Sequence, residues 1–361
     1  MLPDDYRHMA RALLLARRGL YSTDPNPRVG CVLVRDGEIV GEGWHERTGK
    51  PHAEANALEI AGGSARGATA YVTLEPCCHY GRTPPCTDAL MAAGITRLVA
   101  AMSDPNPQVA GKGLAILRDA GITVDCGVLE TEARALNPGF TQRMIAGRPF
   151  VRVKLAMSLD GRTALASGES RWLTDEAARQ DVQRLRARSS AVLTGSGTLL
   201  ADDPGLNVRL AEATRQPLRV ILDTALRTPP TAKTLRLPGP VLIFTASADP
   251  AKRAALRAAG ADIASVPSAE GGLRLHAIMA ELARRECNEL HVESGPTLAG
   301  ALLQAGLVDE LVIYLAPLLL GDRARGLFRL PALTRMQDRW ELDTVETRAV
   351  GRDWRLTLRP R

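Results

Sequence analysis

One histidine and two cysteines, spaced as metal ligands, carry the strongest chemical signal in this chain: His52, Cys77 and Cys86. An imidazole and two thiolates occupy three corners of a tetrahedral zinc site. A zinc site that keeps its fourth corner for water is catalytic rather than structural. Glu54, two residues past the histidine, is the other half of the signal. On a helix that starts near His52, with Pro51 just ahead, the Glu54 carboxylate falls close to the metal without having to bind it. There it can carry protons to and from the metal's water. Cys78 and His79 stand as rival ligands. Cys77 is preferred because it follows Pro76 directly, and Cys86 because it opens the next apolar helical run. A structural zinc knot is the plainer alternative, but it prefers a fourth protein ligand and leaves Glu54 without a task.

The order His-x-Glu … Pro-Cys is the signature of zinc nucleobase deaminases, in which the second cysteine comes three positions after the first. Here a longer run, Cys78-His79-Tyr80-Gly81-Arg82-Thr83-Pro84-Pro85, separates the two cysteines. Gly81 and the Pro84-Pro85 pair can turn that loop back. With Gly81-Arg82-Thr83-Pro84-Pro85-Cys86, the variant resembles the bifunctional deaminase/reductase of riboflavin biosynthesis. The resemblance implies deamination of a phosphorylated pyrimidine, with Glu54 moving protons to a ring nitrogen and then to departing ammonia. In that family the loop before the first strand and the turn after the hairpin line the pyrimidine pocket, which implies substrate contacts from Asn26 and His45. Asn26 can donate and accept at a ring edge, although an asparagine between two prolines is also ordinary turn chemistry.

The elements that must hold these residues are legible. Asp4 and Asp5 can cap a first helix with Met9, Leu13 and Leu14 at helical spacing. A strand over Val29–Val34 turns at Asp36-Gly37 into a second strand, Glu38–Trp44. The helix carrying His52 and Glu54 stops at Gly62-Gly63, and a strand at Tyr71–Leu74 delivers Pro76-Cys77. The helix opened by Cys86 ends at Gly94. A strand at Arg97–Met102, a helix through Leu114–Leu117 and a strand at Ile122–Val124 complete a three-layer α/β/α, cytidine-deaminase-like domain. The segment from Asn137-Pro138-Gly139 to Gly147-Arg148-Pro149 reads as the joint, giving domains 1–147 and 148–361.

The second half alternates again: Phe150–Ala156, Ala191–Gly195, Leu218–Asp223 and Val241–Phe244 are short apolar strands between helical runs, as in a mostly parallel sheet. Thr174 is the expected N-cap of a helix that follows it. Glu289–Glu293 runs through Ser294 into a glycine turn, Gly295-Pro296-Thr297-Leu298-Ala299-Gly300-Ala301, which would open a helix whose first N–H groups can meet an anion. Sharp strand-to-helix turns also need glycine on steric grounds alone. Ser158-Leu159-Asp160-Gly161-Arg162, Ser170-Arg171-Trp172 and Thr198–Pro204 follow the order of the reductase half of the same riboflavin enzyme, whose fold is dihydrofolate-reductase-like α/β. That implies NADPH-dependent reduction of a ribose to a ribityl chain. The resemblance implies that Ala156, Trp172, Thr198, Asp202 and residues 295–301 hold the dinucleotide, and that Ser170, Arg186, Leu206, Arg209 and Glu293 hold the substrate. Arg186 and Arg209 suit a phosphate, because a guanidinium offers two parallel donors. Asp202 is alternatively a proton donor to the new hydroxyl or part of a plain Asp202-Asp203-Pro204 turn. Lys154, on a buried-looking strand, is a further polar candidate near the reactive end.

Whole-chain properties agree with an enzyme of small anions. The chain has 361 residues, enough for two cores, with 45% hydrophobic and 24% charged residues and a net charge of +6. Its basic residues are scattered and only 4% of residues are aromatic, which argues against a nucleic-acid surface. The six cysteines are unevenly placed and do not read as a disulfide framework. Leu311–Leu320, the longest apolar run, is broken by Tyr314 and Pro317, so no membrane span is expected. A cytoplasmic enzyme with Zn2+ and NADPH is the expectation, its oligomeric state left open, a homo-oligomer included. Two rivals remain: a cytidine or tRNA-adenosine deaminase with an inactive C-terminal half, and a non-enzyme with a structural zinc module.

Overall fold

The computed structural model describes residues 2–80, 84–269 and 272–361, and the chain divides into two compact units, Met1–Arg148 and Pro149–Arg361. Gly81, Arg82 and Thr83 of the motif above lie outside the described residues.

The first unit runs α1 (Pro3–Ala16), β1 (Gly30–Arg35), β2 (Glu38–Trp44), α2 (Ala53–Ala61), β3 (Thr69–Val72), α3 (Cys86–Ala93), β4 (Arg97–Ala100), α4 (Lys112–Asp119), β5 (Thr123–Cys126), α5 (Glu130–Leu136) and α6 (Pro138–Ala146). Its sheet has the order β2-β1-β3-β4-β5, with β1 antiparallel to both neighbours and the remaining pairs parallel. Because side chains alternate along a strand, Cys31, Leu33, Ala70, Val72 and Leu98 enter a core with α2, α3 and α4. Val32, Tyr71 and Val99 enter a second core with α1, α5 and α6. Three layers result.

Two local expectations are corrected. Leu2, not an aspartate, is the N-cap of α1; Asp5 sits in the first turn, where its carboxylate accepts the Leu2 N–H at 2.6 Å. That carboxylate is buried, and Arg97 holds it well below the ordinary range while Tyr71 donates to it at 3.0 Å. The second correction concerns the joint. Residues 138–146 form α6, so Pro138 and Gly147 bound a helix, and Gly139 lies within it, at the end of the first unit. Asn137 precedes α6, and its side chain exchanges two 2.8 Å hydrogen bonds with the Arg28 backbone.

The second unit runs β6 (Phe150–Ser158), β7 (Arg162–Ala164), α7 (Glu176–Arg188), β8 (Ala191–Gly195), α8 (Ser196–Asp202), β9 (Leu218–Leu222), α9 (Lys233–Arg236), β10 (Val241–Thr245), α10 (Pro250–Ala258), β11 (Asp262–Ser265), β12 (Ser268–Ala269), β13 (Gly272–Leu273), α11 (Leu275–Arg284), β14 (Glu289–Glu293), α12 (Pro296–Gln304), β15 (Glu310–Ala316), β16 (Arg325–Gly326), β17 (Leu342–Val350) and β18 (Asp353–Pro360). Nine strands form one sheet, β11-β10-β9-β8-β14-β6-β15-β18-β17. It is parallel up to β15, and the β17–β18 hairpin joins antiparallel. That hairpin is not among the strands expected from the sequence. Val151, Val153, Leu290, Val292 and Leu311 form the core with α11 and α12. The alternate residues of β6 and β14 (Arg152, Lys154, Glu289, His291, Glu293) make a polar face. The N-cap of α7 is Asp175, whose carboxylate accepts the Ala178 N–H, and not Thr174.

Candidate functional site

The first site is built at the starts of α2 and α3. His52 is the extended residue capping α2, and Glu54 lies in the first turn. Helix α2 reaches its position because β2 presents glycine to it: a Cβ on Gly43 would come 2.3 Å from Ala53 O, and one on Gly41 2.3 Å from Ala57 O. Small residues on both sides let helix and strand touch, and Asn56 Nδ2 clamps Trp44 O at 2.8 Å.

Cys77 is placed by Glu75, a residue to which the sequence assigned no role. The buried Glu75 carboxylate accepts four backbone N–H groups, from Asp104 at 3.0 Å, Gly111 and Gly113 at 2.9 Å and Leu114 at 3.3 Å. It thereby ties the Pro76-Cys77 segment to the start of α4. Gly113 is required, since a Cβ there would stand 2.2 Å from Pro76 O. An acid immediately before Pro-Cys was the available signal.

His52 Nδ1 lies 3.3 Å from Cys86 Sγ and 3.5 Å from Cys77 Sγ, and all three ligand atoms lie within 4.8 Å of one another. Tetrahedral zinc at its usual bond lengths puts a nitrogen roughly 3.5 Å from a sulfur, so this donor set fits zinc. Cys78 and His79 do not belong to the cluster among the described residues. Hydrogen bonding from Cys86, with His52, draws the Cys77 thiol down to about 4, while the bond to Cys77 and burial hold Cys86 up. Burial pushes the Glu54 carboxyl above its ordinary range, with His52 opposing. Asn26 and His45 are brought together: Asn26 Nδ2 lies 3.1 Å from His45 Nε2, and His45 Nδ1 lies 3.0 Å from Pro51 O. Burial keeps the imidazole of His45 neutral to lower pH. The tautomer is therefore set, with Nδ1–H donating to Pro51 and Nε2 accepting from Asn26.

The second site lies along the C-terminal ends of β6, β8 and β14. Glu293 pairs in register with Lys154 and is gripped by Arg186, Nε at 2.5 Å and Nη2 at 2.9 Å. Arg186 also donates to Asn207 O at 2.8 Å, so its guanidinium is engaged by protein rather than free for a phosphate. Burial opposes the charge on Glu293, but Arg186 wins and holds it well below its ordinary value. Burial also lowers the Lys154 ammonium, with Glu293 pulling the other way. His291 Nε2 stands 3.3 Å from Glu293. Ala156 is half-buried, while Ser170, Trp172 and Arg209 are exposed. Arg179 and Arg171 lie over the Trp172 ring at 4.7 and 5.9 Å. Leu206 is buried, with φ at 54°. Arg171 Nη2 donates to Asp202 O at 2.6 Å.

Helix α12 opens directly after Gly295, whose N–H donates to Thr198 Oγ1 at 3.1 Å. The turns after β8 and β14 thus meet. A cleft of about 440 Å³ beside them is lined by Pro296, Thr297, Arg325, Gly326, Phe328 and Arg329. Ser294 Oγ is buried and, among the described residues, has no hydrogen-bond partner. The start of α12 and the two arginines of this cleft suit the phosphates of a dinucleotide.

No helix of the described residues is long and apolar enough to cross a membrane. Residues 3–102 match the cytidine and deoxycytidylate deaminase zinc-binding region, and residues 149–356 match the RibD C-terminal domain. The chain is 52% identical over 369 residues to the riboflavin biosynthesis protein RibD of Escherichia coli, covering 98% of both. The structure of Acinetobacter baumannii RibD superposes with a TM-score of 0.94 at 46% identity, covering 100% of both chains. A Thermotoga maritima diaminohydroxyphosphoribosylaminopyrimidine deaminase/5-amino-6-(5-phosphoribosylamino)uracil reductase gives 0.87 at 35%, covering 99% of both. A zinc-binding deaminase region followed by an NADPH-dependent reductase domain, matched end to end, is decisive: the chain belongs to the RibD family of bifunctional deaminase–reductases of riboflavin biosynthesis.

Proposed function

We propose that residues 1–147 deaminate 2,5-diamino-6-(5-phosphoribosylamino)pyrimidin-4(3H)-one. Residues 148–361 then reduce 5-amino-6-(5-phosphoribosylamino)uracil to its 5-phosphoribitylamino product. The observation that carries the reading is the buried Glu54 beside the His52, Cys77 and Cys86 donor set. Zinc, which His52, Cys77 and Cys86 would hold, would lower the pKa of a water towards neutrality. Glu54 would take one proton as water adds to the ring carbon and place it on the ring nitrogen, then take a second from the new hydroxyl and give it to the leaving amine. Burial, which raises its carboxyl pKa, suits it to hold each proton in turn. Because His45 accepts from Asn26 Nδ2, the carboxamide is oriented and its Oδ1 is presented to a donor on the pyrimidine edge.

In the second unit NADPH supplies the hydride when bound, and the chain's own groups do the rest. Lys154, with its ammonium pKa lowered by burial, can deliver a proton to the ribose oxygen. Glu293 stays anionic under Arg186 and orients the sugar hydroxyls. Arg209, exposed, is the cation left for the 5-phosphate. The turn 295–301, with Thr198, Asp202, Ala156 and Trp172, receives the dinucleotide. The partner is a small phosphorylated molecule, in the cytoplasm, where the thiols of Cys77 and Cys86 stay reduced.

The test follows ammonia release and NADPH oxidation by full-length, zinc-loaded protein given the diaminopyrimidine ribosyl phosphate. Ammonia without NADPH, and NADPH oxidation only after deaminated product forms, is the expected result. Ammonia with no NADPH oxidation would overturn the assignment of the second unit. Absence of ammonia would overturn that of the first.

A further inference from the structure

A dinucleotide laid across the turns after β14 and β8 continues along the same sheet edge to the next strand, β9, because ligands of open α/β sheets follow the carboxyl ends of the strands. The turn after β9 therefore meets the adenosine ribose. In sheets of this type an acid at such a strand end reads a free 2′-hydroxyl, whereas an arginine accommodates a 2′-phosphate. Asp223 occupies the acidic position immediately after β9, but it is turned inward. It is fully buried, and its Oδ2 accepts both the Thr228 N–H and the Thr228 hydroxyl at 2.7 Å. The negative charge that would repel a phosphate is thus withdrawn inside the turn it stabilises.

What the turn presents outward is a cation. Arg227 is exposed, forms no ion pair among the described residues, and reaches the start of α8, where its Nη2 donates to Ser196 Oγ at 3.0 Å. Lys252, from α10, also reaches this turn, its Nζ donating to Ala225 O at 3.3 Å. The Ser196 contact uses one face of the guanidinium and leaves other donors of its planar fork for a phosphate.

We propose that Arg227 reads the 2′-phosphate of the cofactor and so sets the preference for NADPH over NADH. The assignment rests on the placement of the dinucleotide at the β8 and β14 turns given above. Arg227 is not among the residues assigned above to the substrate or to the proton delivery, so its effect should fall on cofactor binding alone.

The experiment is calorimetric titration of the full-length protein with NADPH, NADH and adenosine 2′,5′-bisphosphate, in the wild type and in Arg227→Gln. A charge-assisted hydrogen bond to phosphate accounts for about tenfold to a hundredfold in affinity. The Gln variant should lose that much for NADPH and for the bisphosphate, while NADH binding stays within about twofold. Arg227→Lys, which keeps the charge but not the fork, should lose less. Equal weakening of NADPH and NADH would show that Arg227 merely fixes the Ser196 turn, and unchanged NADPH affinity would remove it from the site; either result overturns the proposal. Should the wild-type protein bind neither dinucleotide, the placement itself fails, and the assignment of Arg227 fails with it. An unchanged melting temperature in both variants confirms that the fold is intact.

Discussion

The two candidate sites are organised in opposite ways. The first gathers chemically distinctive side chains from a short stretch, His52 and Cys86 being 34 positions apart, and the backbone around them is fixed by tight glycine contacts and the Glu75 carboxylate. The second gathers ordinary residues from far apart, Arg186 and Glu293 being 107 positions apart, and these satisfy one another before any ligand arrives. One site is defined by which atoms can bind a metal. The other is defined by strand ends, helix N–H groups and a balanced charge network. If the contrast is real, the sites should fail independently and by different routes.

The largest expected effect is chemical. Glu54→Gln should keep its zinc but lower ammonia release by about 10²–10⁴-fold, the usual contribution of a positioned proton carrier. NADPH oxidation with preformed 5-amino-6-(5-phosphoribosylamino)uracil should be unchanged. Removing zinc with a chelator should give the same split, with both units still folded. A parallel fall in NADPH oxidation, in either experiment, would break the picture of two separable sites.

In the second unit the largest effect should be on stability. Arg186→Met leaves Glu293 buried without its cation, and breaking a buried pair costs about 3–5 kcal/mol, measurable by urea unfolding of the full chain. The sign with pH is fixed by the pair: the folded pKa of Glu293 lies well below its ordinary value of 4.5. The pair's contribution is therefore present above that value and lost as pH falls through the folded pKa. The deficit of the variant should be greatest near neutrality and shrink in acid. Adding Glu293→Gln to Arg186→Met should recover part of it.

Glu75→Gln tests whether scaffolding sets metal affinity in the first site. An amide oxygen can accept fewer of the four N–H groups, and its NH2 faces donors. We expect a loss of about 1–3 kcal/mol in stability and a zinc affinity about 10–100-fold weaker, as for other groups behind metal ligands. Unaltered zinc affinity would mean that Cys77 is placed by the loop alone.

The same contrast explains which parts of the molecule are legible in its sequence. His52, Glu54, Cys77 and Cys86 announce themselves by type and spacing, and the alternation of strands and helices marks both sheets. Glu75 is marked only by its place before Pro-Cys, because its partners are backbone groups near α4, which no side-chain pattern marks. Arg186 and Glu293 can be carried over as positions, but their mutual pairing depends on which residues of α7 and β14 face each other across the sheet. The α6 segment misleads because Pro138 and Gly147 punctuate helices and linkers alike. The β17–β18 hairpin escapes because β17 is almost wholly exposed, so it lacks the apolar face that usually marks a strand.

The smallest effect is a titration confined to the first unit. Burial raises the Asp104 carboxyl to about 6 from an ordinary 3.8, although the Asn106 N–H, 2.8 Å from its Oδ1, favours the charge. A raised folded pKa means that the group's favourable contribution is fully present below the ordinary value and is lost as pH rises through about 6. Asp104→Asn keeps an acceptor for Asn106 and never ionises. It should be near neutral in stability at pH 4 and stabilising above pH 7, with a ceiling of about 3 kcal/mol, since each tenfold change in proton affinity is about 1.4 kcal/mol. Thermal unfolding of the two proteins across that range checks it. A stability gap that does not change with pH would show that Asp104 does not titrate there. A gap that widens with pH would show that the first site carries an ionisation strain, whereas the charges at Arg186 and Glu293 in the second cancel within the fold.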